Sequence, residues 1–230
     1  MRKFLIGAAA VAAVLVPAQA NAETDGYVDL AFGQTDVEGT DLDSINLGGA
    51  AAVDLSGNWR AQFDVDVNRL SEDGSATATN AAAHVYYEGP TWAVGGVLTT
   101  RDFFFAQSWS IGIEGQTHLG ALVLEGEAGF GTLETFGGDT GVTNADVSAT
   151  WYVTPDFSIG AGFAYFDIDE FDDELNTWGV DGEYKFQNSQ FSMFAGWSQT
   201  EVEDTELDSW RIGGRYAFGD DTLQGRRSTG

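Results

Sequence analysis

The feature that most constrains this chain is a strict alternation of side-chain character. Residues 59–67 read Trp-Arg-Ala-Gln-Phe-Asp-Val-Asp-Val, with every odd position apolar and every even position polar. Period two is the signature of a β-strand that shows one face to an apolar medium and the other to water. The pattern returns twelve times, over residues 28–32, 45–53, 59–67, 81–87, 92–98, 109–119, 122–130, 145–153, 157–165, 178–186, 191–197 and 210–218. No charged residue stands on any of the twelve apolar faces. The intervening positions carry nine acids, Asp29, Asp64, Asp66, Glu114, Glu125, Glu127, Asp146, Asp181 and Glu183, and four bases, Arg60, Lys185, Arg211 and Arg215.

The connections are expected to alternate in length. Residues 54–58, 88–91, 120–121, 154–156 and 187–190 are short and rich in Gly, Pro, Asn, Asp and Ser, as tight turns require. Residues 35–43, 69–79, 99–107, 132–144, 167–176 and 199–208 read as longer, mostly acidic loops. Pro90 and Pro155 fall in the short turns, so neither removes an N–H from a strand.

A soluble β-sandwich also alternates, with its apolar faces turned inward. Two observations favour the inverse arrangement. Aromatic residues mark both ends of the apolar faces. Trp59, Tyr87, Trp92, Trp151, Phe191 and Tyr216 stand at the short-turn ends, and Phe32, Trp109, Phe130, Trp178 and Trp210 at the long-loop ends. Such paired belts are interfacial girdles of a transmembrane barrel. The intervening positions are also too charged and too small to fill a dry core. An open sheet in lipid would leave unpaired edges, so the expected fold is all-β: a closed antiparallel transmembrane barrel of about twelve strands, each of ~10 residues.

The first 22 residues read as a cleaved export signal: Arg2 and Lys3, an apolar run from Phe4 to Val16, Pro17, then Ala20-Asn21-Ala22. They hold two of the ten basic residues and none of the 36 acidic ones, so the remaining 208 residues carry a formal charge of −28. The expected organisation is a signal at 1–22, a barrel at 23–219 and a polar tail at 220–230. Such acidity excludes a nucleic-acid footprint. The absence of Cys excludes disulfides, thiol chemistry and Cys-ligated metal.

Together, the signal, the dyad-repeat strands, the short turns against longer acidic loops and the final strand SWRIGGRYAF (Ser209–Phe218) resemble the bacterial outer-membrane β-barrel and porin superfamily. The resemblance implies residence in the outer membrane, contact with lipid and lipopolysaccharide, and recognition of the last, aromatic-ended strand by the barrel-insertion machinery. The chain departs from it in the tail that follows Phe218.

The thirteen inward charges above are the candidate pore-lining residues. In a twelve-strand ring Glu114, Glu125 and Glu127 are expected across the lumen from Arg211 and Arg215, setting a transverse field. The excess of acids points to passive diffusion of ions and small polar solutes with cation preference. The alternative is a closed structural or surface-interaction barrel whose charges pair and fill the lumen, and whose acidic loops bind divalent cations or partners. The solute and the oligomeric state are left open. The run Phe103-Phe104-Phe105 reads either as hairpin touching lipid or as a constriction at the mouth. His84 and His118 fall on the inward phase with no Ser two residues away on an outward face, so no enzymatic role is expected, nor any metal or cofactor.

Overall fold

A computed structural model describes residues 24–71, 75–103, 106–135, 137–169, 173–202, 205–219 and Leu223. The signal segment, Phe104, Phe105 and the tail apart from Leu223 lie outside the described residues, as do the loop acids Glu72, Asp73, Glu170, Asp172, Glu203 and Asp204.

Twelve strands follow one another: β1 Thr24–Val37, β2 Thr40–Ser56, β3 Trp59–Ser71, β4 Ser75–Glu88, β5 Trp92–Phe103, β6 Ala106–Leu119, β7 Leu122–Thr135, β8 Gly138–Thr154, β9 Phe157–Ile168, β10 Asp173–Lys185, β11 Phe191–Val202 and β12 Thr205–Phe218. Each pairs antiparallel with the next. β1 closes the ring on β12 in an unbroken register from Gly26↔Phe218 to Val37↔Leu207. Closure satisfies both edges of every strand, which is the condition for placing a sheet in hydrocarbon. At ~3.3 Å per residue, strands of 12 to 17 residues exceed what a tilted strand needs to cross a bilayer.

The orientation of side chains is inside-out. Ile113 is 72% exposed and Phe130 68%, while Ala50 and Ala52, on the inner phase of β2, are fully buried. The apolar belt is bounded by touching aromatics. At the end that carries both termini, Trp59 meets Tyr87 at 5.5 Å between ring centroids, Tyr87 meets Trp92 at 5.9 Å and Phe191 meets Tyr216 at 4.9 Å. At the opposite, distal end Trp178 and Trp197 pack edge to face at 4.7 Å. The indole N–H groups of Trp178 and Trp210 donate to Gln199 and Gln34, turning their polar edges toward the wet side of the belt.

One expectation is corrected. The segments read as long distal loops are mostly strand: only Glu38 and Gly39 separate β1 from β2, and four residues lie between Ile168 and Asp173. Glu38 and Gly39 have φ of 53° and 85°, the left-handed pair of a two-residue hairpin. The acids assigned to these loops, such as Asp36, Asp41 and Asp208, instead stand side by side in the ladder, Asp36 facing Asp41 on one side and Asp208 on the other. Above the girdle both faces of a strand meet water. Hydropathy therefore stops alternating although the backbone continues to pair.

Candidate functional site: the lumen

The inward phase of the strands forms a polar interior with two unlike walls. On β6, β7 and β8 three carboxylates occupy one register row, Glu114 facing Glu127 and Glu127 facing Asp146. One step toward the terminal end, Gln116 faces Glu125 and Glu125 faces Ser148. Two amides, a hydroxyl and one imidazole hold most of this wall. The Asn144 amide donates to Glu127 at 3.1 Å, the Gln116 amide and the Ser148 hydroxyl donate to Glu125, the latter at 3.3 Å, and His84 Nδ1 lies 2.7 Å from Glu114 Oε2. Among the described residues Asp146 has neither a hydrogen-bond nor an ion-pair partner. Like charges directly opposed on neighbouring strands repel, yet the row gathers carboxylates on one side of the lumen.

The facing wall closes its charges locally. Arg215 of β12 sits 3.0 Å from Asp29 of β1 and 3.0 Å from Glu183 of β10, and its guanidinium stacks 4.0 Å from the Tyr27 ring. The Ser192 hydroxyl completes Glu183. Asp66 accepts from Asn46 at 2.7 Å. Asp181 lies against Gly160 of β9, where a Cβ would come within 2.6 Å of its carboxylate. Arg211 is exposed and, among the described residues, has no ion pair; its guanidinium lies over the face of Phe194, 5.9 Å from the ring centroid.

Between the walls, His84 of β4 bridges carboxylates from two other strands: Nε2 is 3.0 Å from Asp64 of β3 and Nδ1 contacts Glu114 of β6. Gln62 donates to both oxygens of Asp64 at 3.0 and 3.1 Å. His118 Nε2 lies 3.0 Å from the Gln116 carbonyl oxygen.

Arg60 and Lys185, expected in the lumen, are 7% and 4% exposed and engage acids near the terminal rim. Arg60 ties Asp25, Asp54 and Glu88 together at the terminal rim, and the Lys185 ammonium approaches Asp156 at 3.8 Å. Long side chains near a barrel end bend toward the rim acids, so inward phase alone does not deliver them to the channel. The expected transverse field is also narrower than the sequence implied. Glu125 does share a cavity with Arg211 and Arg215, but Arg215 is already matched by two carboxylates.

Two charged groups escaped the sequence reading because they lie beyond the alternating core of their strands. Asp25 precedes the first apolar position of β1 and partners Arg60. Arg101, near the distal end of β5, reaches over the lumen to the ring of Phe166 on β9, 5.8 Å from its centroid and four strands away. Phe103, the described member of the Phe103–Phe105 run, closes β5 against Ala106.

Cavities of about 420, 380, 310 and 190 Å³ open along the lumen. Arg211 lines the first three, and the fourth runs along the acidic wall past Asp64, Glu114, Glu125, Glu127 and Asp146.

A closed sheet with its large hydrophobic side chains outside and its charges inside defines a membrane-spanning β-barrel with a polar lumen. Its fold is that of the bacterial outer-membrane porins, as comparison with solved structures shows. A NanC porin superposes with a TM-score of 0.63 at 12% identity, over 82% of this chain and 98% of that one. A KdgM porin in complex with disordered oligogalacturonate gives 0.59 at 11%, over 84% and 99%. An anion-selective porin from Comamonas acidovorans gives 0.53 at 10%, over 86% and 99%. No family model matches the sequence, and no curated protein matches it.

Proposed function

We propose that the protein is a channel of the bacterial outer membrane for passive diffusion of ions and small polar solutes, with preference for cations. The observation that carries this reading is the in-register row Glu114–Glu127–Asp146 along a lumenal cavity, three carboxylates that, among the described residues, form no ion pair except that of Glu114 with His84. A fixed negative wall in a confined aqueous path concentrates counter-ions and lowers the barrier for them. The porins of like fold named above for oligogalacturonate and for anions are the opposite case, so the proposal rests on this lumen's own charges. Planar bilayers under a salt gradient test it: discrete conductance steps with a reversal potential of cationic sign are expected. Glu125→Lys combined with Glu127→Lys should move that potential toward zero or beyond, and an unmoved potential would place the conducting path elsewhere.

The reading of a closed interaction barrel is favoured by a different observation, the reach of Arg101 to Phe166 across the distal half of the lumen. A barrel that is silent at all voltages and gains conductance in Arg101→Ala would support it.

A further inference from the structure

The chain continues past the last strand as Gly219–Gly230, GDDTLQGRRSTG, in which Leu223 is the one large apolar side chain. Leu223 is only 6% exposed. Its backbone N–H donates to the carbonyl of Pro155 at 3.1 Å. Pro155 lies in the turn between β8 and β9, whereas the chain leaves the wall at the end of β12, four strands round the ring from β8. Leu223 thus lies across the terminal mouth from the strand it follows.

The surroundings of Leu223 agree. The cavity of about 310 Å³ that it lines also contains Tyr27 of β1, Ala217 of β12, Val123 of β7 and Tyr152 of β8, residues from opposite sides of the barrel. The departure point is built for a turn. Gly219 has φ +106°, a region L side chains rarely adopt, and a Cβ there would press into the Asp25 carboxylate. In a tail otherwise made of polar residues and Gly, a leucine gains by leaving water for the apolar parts of Tyr27, Val123 and Ala217. The lumen gives it a place at the cost of cross-section.

We propose that Leu223, seated across the terminal mouth, sets the size limit of the channel, so that this tail residue is a specificity determinant for solute size. The proposal rests on the channel reading. In it Arg215 and Glu125 supply the charged edge of the same constriction and Leu223 its apolar stop. Solutes that fit between this side chain and the Tyr27 side pass, and larger ones are held in the wider space around Arg211.

The test compares the full chain, Leu223→Ser and a truncation ending at Gly219, each reconstituted in planar bilayers and in liposomes challenged with sugars of graded size. Both changes should raise single-channel conductance by about twofold or more and admit larger sugars. Because the chain has no Cys, the double substitution Pro155→Cys with Leu223→Cys adds a readout independent of conduction. The pair should form a disulfide spontaneously, and the oxidised barrel should keep the unmodified conductance. Wild-type conductance and exclusion limit in both variants would overturn the proposal while leaving the channel reading intact. So would introduced thiols that label rapidly and form no disulfide. Silence of every version would overturn the channel reading and the proposal with it. A silent full chain that conducts once truncated would support the constriction in its strongest form.

Discussion

The β6–β8 wall and the β10–β12 wall with β1 are built from the same alternating strands, face the same lumen and carry similar numbers of charges, yet they handle charge in opposite ways. On the second, Arg215 is clasped by Asp29 and Glu183 over Tyr27, so that its guanidinium offsets one of the two carboxylate charges and ties both into the wall. On the first, Glu114, Glu127 and Asp146 stand in one row; His84 pairs with Glu114, while Glu127 is held by the neutral Asn144 amide, which orients a carboxylate without cancelling it. A closed cluster strengthens the wall. An open row costs stability through mutual repulsion and leaves a field in the lumen. The difference separates the charges that hold the barrel from those available to solutes.

The largest test of this division is at the rim and the closed cluster. Arg60→Ala would strand the largely buried Asp25 and release the more exposed Asp54 and Glu88, and a loss of about 3–5 kcal/mol is expected, the usual result of removing one partner from a buried ionic group. Arg215→Leu should cost somewhat less, about 2–4 kcal/mol, because its side chain is partly open to the lumen. Urea unfolding in lipid vesicles, followed by tryptophan fluorescence, measures both. If Arg215→Leu unfolds no earlier than the parent, the closed cluster is not structural and the comparison fails at its first step.

The opposite sign is expected on the open wall. Glu127→Gln keeps an acceptor for the Asn144 amide and removes the central charge of the row, so stability should rise by about 0.5 kcal/mol while cation preference falls. The same vesicle unfolding, paired with reversal potentials, checks both halves of that statement. A destabilised Glu127→Gln would mean that the carboxylate is engaged by a cation, and the row would then belong with the closed clusters.

The ring itself was legible in the sequence because lipid reads every second residue: an outward position that touches hydrocarbon cannot be charged, and twelve such faces mark twelve strands. What was not legible falls where that reader is absent. Above the girdle water wets both faces, so the strand continuations that carry Asp36, Asp208 and Arg101 looked like loop. Inside the lumen, phase says that a side chain points inward, but partners are chosen by the shear of the sheet and the reach of the side chain. Hence Arg60 turned to the rim, Arg215 found Glu183 two strands away, and Arg101 met Phe166 across the barrel. Leu223 shows the same limit for a tail: a single apolar residue in a polar segment has no period to read.

The smallest expected effect is also the sharpest discriminator between the walls. Arg211 belongs by position to the wall that closes its charges, yet it is exposed and, among the described residues, lacks an ion pair, while lining the cavities of about 420, 380 and 310 Å³. If pairing rather than location decides a charge's role, Arg211 should behave like the open row. Arg211→Gln should then leave unfolding within about 0.5 kcal/mol of the parent, as for exposed unpaired charges. It should also shift the reversal potential further toward cations, since the lumen loses an unmatched guanidinium. A marked loss of stability with an unmoved potential would show instead that Arg211 braces Asp66 and Asp181 as Arg215 braces Asp29, so that wall position, not local pairing, divides this lumen.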